Sequence, residues 1–214
     1  MTYPDRRDVP YERAATALLF VDVQEIFCRP GLDPSHAGWG EDHYYFKRMR
    51  ETVIPNQVKL LEAARREGIN VLHTIIEALT KDGRDISLDH RLSNILIPKG
   101  LPGAQPIREL APIENEIVLP KSSSGVFNST NIDYVLRNLG VKYLIVAGVV
   151  TDQCVDMAVR DASDRGYLVT CPGDACATYT QERHDAALRA FGGYGWITDT
   201  ATVVARLGAF TASY

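Results

Sequence analysis

The chain is predicted to be an α/β protein. The expected form is a three-layer α/β/α sandwich around a mostly parallel, Rossmann-like sheet of roughly six strands. It should form a single domain over residues 1–214, with 1–13 as an N-terminal extension. Three observations predict this. Short apolar runs lack the polar alternation of a half-solvated strand, so they read as strands covered on both faces. Amphipathic segments with helical spacing separate them. The length of 214 residues suits one α/β domain.

In chain order, Ala17-Leu18-Leu19-Phe20-Val21 reads as the first strand, ending at Asp22, before a Gly/Pro-rich loop from Arg29 to Gly40. A long helix is expected from about Tyr44 to Arg66, carrying Val53, Val58, Leu60, Leu61 and Ala64 and stopped by Gly68. Ile69 to Thr74 is the second strand. The polar segment Glu77 to Pro112 is expected to wrap over an opening. Glu116 to Leu119 is a short third strand, and Thr130 to Leu139 a helix closed by Gly140. The apolar run 143–150 is the fourth strand. Val155, Ala158, Val159 and Ala162 then mark a helix over 152–165 with Thr151 as its N-cap. A strand at 167–171, a helix at 181–191, a strand at 196–198 and a helix at 200–207 complete the order.

Composition narrows the function. Hydrophobic residues make up 45% and charged residues 23%, with a net charge of −4. No basic footprint for nucleic acid or an anionic membrane is present. No apolar run reaches membrane-spanning length. The polar N-terminus lacks the apolar core of a signal peptide. The four cysteines, Cys28, Cys154, Cys171 and Cys176, have neither CxxC spacing nor a dense framework, which favours reduced thiols in a cytoplasmic enzyme or binding protein.

Three strand ends carry reactive side chains: Asp22, Lys121 and Cys154. In a parallel sheet the carboxyl ends share one edge, so the three are expected to converge where α/β proteins bind ligands. A carboxylate there can take a thiol proton and return it to a leaving amine, while an ammonium stabilises both anions. Cys154 in the first helical turn is expected to have its pKa lowered toward neutrality by the helix dipole. The backbone N–H groups of that turn can receive an oxyanion. Such a set suits attack on an amide or carbamoyl carbon through a thioester that water then clears. Each residue also has a plainer reading: Cys154 as a buried hydrophobe, Asp22 as a cap, Lys121 as a solvated strand end.

The segments LLFVDVQEIF, KSSSGVFNSTNIDYVLRNLG and VAGVVTDQCVDMAVRDASDRGY with its trailing GDACAT resemble the isochorismatase-like cysteine hydrolases, over roughly residues 14–207. That group includes nicotinamidases and N-carbamoylsarcosine, biuret and ureidoacrylate amidohydrolases. The resemblance implies an isochorismatase-like fold, with Asp22 as general base and acid, Lys121 as its electrostatic partner and Cys154 as nucleophile. It also implies a cis peptide at Val149–Val150 and an oxyanion hole from Val150 N and Cys154 N. Gln24 and Phe27 match positions that border the family pocket, Gln24 to hydrogen-bond a substrate amide and Phe27 to stack on it. The tract Ser122-Ser123-Ser124-Gly125-Val126-Phe127-Asn128 is expected to loop over the pocket, with Phe127 as a further substrate contact. In the variable segment, Glu77, Lys81, Arg84 and Asp85 are candidates, Glu77 first.

The sequence departs from nicotinamidases, which bind a metal through an Asp-x-His-type motif after the second strand. The matching stretch here is Leu72-His73-Thr74-Ile75-Ile76-Glu77, with His73 read as structural, so no metal and no cofactor are expected. Asp161 and Asp174 read as hydrogen-bonding residues. Cys28, Cys171 and Cys176 read as packing residues, and His184 as serving a helix start or a subunit contact. The resemblance further implies a homodimer or homotetramer, with Trp39 to Tyr45 as a contact segment. The expected function is a cysteine amidohydrolase acting on a small amide, ureido or carbamoyl compound. The alternatives are an isochorismatase-type vinyl-ether hydrolase using Asp22 and Lys121, and a non-catalytic binding or scaffold protein of the same fold.

Overall fold

The computed structural model describes residues 6–210. Its strands are β1 (Thr16–Val21), β2 (Asn70–Ile76), β3 (Ile117–Lys121), β4 (Tyr143–Val149), β5 (Leu168–Pro172), β6 (Cys176–Ala177) and β7 (Trp196–Thr198). Its helices are α1 (Glu25–Cys28), α2 (Tyr44–Arg48), α3 (Ile54–Glu67), α4 (Leu88–Leu92), α5 (Val126–Ser129), α6 (Ile132–Asn138), α7 (Asp156–Asp164), α8 (Gln181–Phe191) and α9 (Thr200–Gly208).

The sheet runs β3-β2-β1-β4-β5-β7, every neighbouring pair parallel. The roughly six strands expected become seven, because β6 pairs with the end of β4. Two residues are too few to show a hydrophobic period, which is why β6 escapes a reading of the sequence.

The strand order reverses between β1 and β4. From β1 the chain moves outward through β2 to β3, and from β4 in the other direction through β5 to β7. Right-handed crossovers therefore put α3 on one face and α6, α7 and α8 on the other, with α9 returning to pack on α3. Both faces of the central strands are covered: Ala17, Leu18, Leu19 and Phe20 of β1 are completely buried.

The helix expected over 44–66 is one helical run with a change of pitch. Residues Met49–Val53 form a π-turn, in which the Ile54 N–H reaches back to Met49 O. Pro55 follows at once and has no N–H to continue the regular ladder. Gly68, at φ 67°, ends α3 in the left-handed conformation.

Residues 6–13 of the expected extension lie against the body. Tyr11 Oη donates to Thr170 Oγ1 at 3.0 Å, and Arg206 donates to the carbonyls of Asp8 and Val9 at 2.9 Å. Residues 1–5 of that extension lie outside the described residues.

At the switch point β1 and β4 come very close. Gly148 has φ 142°, and a Cβ there would sit 2.2 Å from Val21 O. Only glycine lets β4 pass Val21 and bring the Cys154 turn beside Asp22.

Candidate active site

Asp22 leaves β1 in the left-handed conformation, with φ 55°. Asp and Asn tolerate that region better than other side chains with a Cβ, and such outliers gather at sites of function. Asp22 N donates to Thr74 O, Thr74 Oγ1 donates to Asp22 Oδ1, and Gln24 N closes the turn on Asp22 O, all within 2.9–3.0 Å. Oδ1 is thus held. Oδ2 is completely buried and accepts no aligned hydrogen bond. Its neighbour is Lys121 Nζ at 2.8 Å, an ion pair between two side chains shut off from solvent.

Lys121 ends β3, two strands from β1, and lies in register with Ile76 at the end of β2. The loop after β3 curls back over its ammonium, which donates to Ser123 O at 2.8 Å and Ser124 O at 3.1 Å. The same Nζ lies 3.6 Å from Cys154 Sγ. The serine tract expected over the pocket therefore also serves through its carbonyls. Burial works against the lysine's charge, but the facing Asp22 and Cys154 outweigh it and hold its pKa above the usual value. Lys121 is a permanent cation between the other two residues.

Cys154 sits in a second π-turn, Thr151–Val155, which runs into α7. Such turns often occur at functional sites. Val155 N reaches back to Val150 O at 3.3 Å. The peptide bond Val149–Val150 is cis. The expectation that the helix start lowers the thiol pKa is corrected. Burial dominates and, with the Asp22 charge and hydrogen bond, pushes it up to about 12 despite Lys121 and Ser124. The resting sulfur is a thiol, so its use as a nucleophile requires a base, and the Asp22 carboxylate lines the same chamber.

Thr151 is not the N-cap expected; that position is Val150, without a side-chain cap. Its hydroxyl instead meets His184 Nδ1 at 2.9 Å, while His184 Nε2 faces Arg48 at 3.0 Å. A guanidinium only donates, so Nε2 accepts and the proton rests on Nδ1, which donates to Thr151 Oγ1. His184 is thereby fixed as a neutral link between α2, α8 and the cysteine turn.

Cys154 and Asp22 open on a small inner chamber of about 30 Å³. It shares His36, Ile95, Ser124, Gln153 and Tyr179 with an outer vestibule of about 880 Å³. Phe27 lines the chamber as expected. Three expected contacts line neither cavity. Gln24 is spent on the backbone: Nε2 donates to Ile76 O at 3.0 Å and Ala104 O at 2.7 Å, and Oε1 accepts from Ile76 N at 2.7 Å. Glu77 accepts from Gly100 N at 3.0 Å. Phe127 packs on Tyr167, with the Arg165 guanidinium over its ring. Among the other candidates of that segment, Asp85 binds the backbone of Leu79 and Thr80, and Arg84 pairs with Asp82.

The residues that replace them come from loops. His36, Tyr45 and Tyr179 form an aromatic wall, with Trp39 stacked on His36 at 4.4 Å. Trp39 lines the vestibule and Tyr45 the chamber. His90 comes from α4, inside the segment expected to wrap over the opening. It is completely buried although Leu88 and Leu92 on the same short helix are exposed. A signal for α4 existed in Ser87, which caps the His90 N–H three residues on. Nothing in the sequence tied His36, Tyr45, His90 and Tyr179 to one another.

His73 lies in the middle of β2, lining neither cavity, packed on Phe20 and 3.7 Å from Glu116. Asp174 accepts from Thr200 N at 2.8 Å at the start of α9 and from Asn56 at 3.0 Å. Cys171 and Cys176 are buried together, and Cys28 is buried. Among the described residues no cluster of three or more His, Cys, Asp or Glu is placed to hold a metal ion. No helix among them is long and apolar enough to cross a membrane.

Residues 16–202, which carry this parallel sheet and the Asp22, Lys121 and Cys154 cluster at its switch point, match the Isochorismatase domain, a hydrolase family. The chain belongs to that family. It is similar to a probable inactive nicotinamidase of Arabidopsis thaliana, 32% identical over 80% of this chain and 85% of that one. It is also similar to an N-carbamoylsarcosine amidase of Arthrobacter sp., 29% identical over 73% of this chain and 57% of the relative. Among solved structures, a cysteine hydrolase from Pseudomonas syringae pv. phaseolicola 1448A superposes with a TM-score of 0.80 at 26% identity, covering 94% of this chain and 96% of that one.

Proposed function

We propose that the protein is a cysteine-dependent amidohydrolase that cleaves the C–N bond of a small amide, ureido or carbamoyl compound. One observation carries this reading: Lys121 Nζ stands 2.8 Å from Asp22 Oδ2 and 3.6 Å from Cys154 Sγ on the wall of a cavity. Asp22 takes the thiol proton, and Lys121 limits the cost of the thiolate that forms. Sulfur attacks the carbonyl carbon while Val150 N and Cys154 N receive the oxyanion. As the C–N bond breaks, Asp22 returns the proton to the departing amine. Water then enters and loses a proton to Asp22. It attacks the thioester, and the acid leaves as the proton returns to sulfur.

The thiol favours this reading over vinyl-ether hydrolysis, which has no use for a nucleophilic cysteine. The non-catalytic reading draws on the Arabidopsis relative whose name calls it inactive. Ammonia release from primary amides and ureido compounds tests both. Cys154→Ala is expected to lower the rate at least about a thousandfold while the fold persists. Undiminished turnover in that variant overturns the thiol mechanism, and no turnover by the native protein on any of the panel favours the binding protein.

A further inference from the structure

The inner chamber holds polar atoms that the fold leaves without partners. Tyr45 and His90 both line it, and both are completely buried. Tyr45 Oη and His90 Nδ1 have no hydrogen-bond partner. A buried polar atom left so costs roughly 1–3 kcal/mol. Two around one small cavity mark a place where something polar binds.

The state of each group narrows what that is. His90 Nε2 lies 3.3 Å from Ser124 Oγ. Ser124 and Cys154 line the same chamber. The tautomer with its proton on Nε2, facing Ser124 Oγ, leaves Nδ1 as an acceptor. Burial, then the Lys121 charge, keeps the ring neutral. Burial likewise keeps the Tyr45 phenol protonated. The unpartnered groups thus offer a neutral acceptor and a neutral donor. His36 contributes its ring to the wall, and its Nδ1 faces Asp33 at 3.4 Å.

No spare cation lies on the way in. The one guanidinium among the described lining residues, Arg160, is paired with Asp156. The vestibule also carries Asp89, and Asp152, which is bound to Arg183 at 2.5 Å. A carboxylate-bearing ligand would lose its water with no unpaired cation among the described lining residues to meet it. The chamber itself has room for roughly two or three water-sized groups, the size of a planar amide head.

We propose that this chamber selects an uncharged amide or urea-type substrate, bound through Tyr45 Oη and His90 Nδ1, and discriminates against amides that carry a carboxylate. The inference rests on Cys154 being the reactive thiol, and it narrows the substrate class of that same site.

The test uses iodoacetamide and iodoacetate, alkylating agents of matched shape that differ in charge. The rate at which each labels Cys154 is followed by peptide mass spectrometry and divided by its rate with free cysteine. The native protein is expected to favour iodoacetamide at least tenfold. Tyr45→Phe is expected to narrow that preference at least threefold. It should also leave the melting temperature unchanged or higher, since it deletes a hydroxyl with no partner. Equal labelling, or a preference for iodoacetate, overturns the proposal, as does a Tyr45→Phe protein that melts lower with its preference intact. Cys154 inert to both agents overturns the thiol mechanism itself, an outcome distinct from loss of charge selection.

Discussion

Asp22, Lys121 and Cys154 were legible because each is a chemically distinctive residue at the end of an apolar run, and parallel strands align such ends. Their protonation was not legible. The helix-dipole argument for Cys154 considers only its own turn, whereas the thiol is enclosed by β1, β3 and their loops, so burial raises its pKa to about 12. The same limit explains Gln24, Glu77 and Phe127, whose partners Ile76, Gly100 and Tyr167 are fixed by tertiary packing. The Asp22–Lys121 pair supports a prediction at this scale. Both side chains are buried, so Lys121→Met leaves a carboxylate without compensation at a cost of about 3–5 kcal/mol. Urea denaturation is expected to show that loss, and Lys121→Met with Asp22→Asn together should recover most of it. A single variant as stable as the native protein would mean the ion pair is not buried as described.

At the scale of elements, strand and helix periods predicted the main strands in chain order, a mostly parallel sheet and every long helix. The elements that build the cavity wall were lost: α1 and α4 are four and five residues long, too short for a hydrophobic period to show. Links between elements were also invisible, above all the chain from Arg48 through His184 to Thr151. That link is pH-sensitive. Burial first, then the Arg48 charge, lowers the His184 pKa to about 4, and burial does the same for His73 inside β2. In the unfolded chain both rings titrate near 6.5. Their neutral forms therefore stabilise the fold above that pH, and the contribution disappears as pH falls through about 4. The loss is up to about 3 kcal/mol for His73 and less for His184, which is nearer solvent. Thermal melts are expected to be level above pH 7 and to fall between pH 6.5 and 4, with His73→Gln flattening that limb. A melting temperature constant across that range would contradict the assignment.

For the molecule as a whole, the three-layer architecture followed from the alternation of elements, and the location of the site from the shared edge of parallel strand ends; the reversal of strand order between β1 and β4 is seen only in the structure. The ligand chamber did not. It is assembled from loops after β1 and β2 and from the residues near Tyr179, and no periodic pattern relates those segments. The chemistry is set by the sheet edge and selection by the loops above it, so one fold can carry different substrates on the same three reactive groups. The claim that unites these levels is that Cys154 carries the acyl group during turnover. Intact-mass spectrometry of reactions with an uncharged primary amide, quenched in acid at sub-second times, measures it most directly. The account predicts a transient mass increase equal to the acyl group, located on Cys154 and gone once substrate is exhausted. Turnover with no adduct at any time, or with the added mass on another residue, would contradict it.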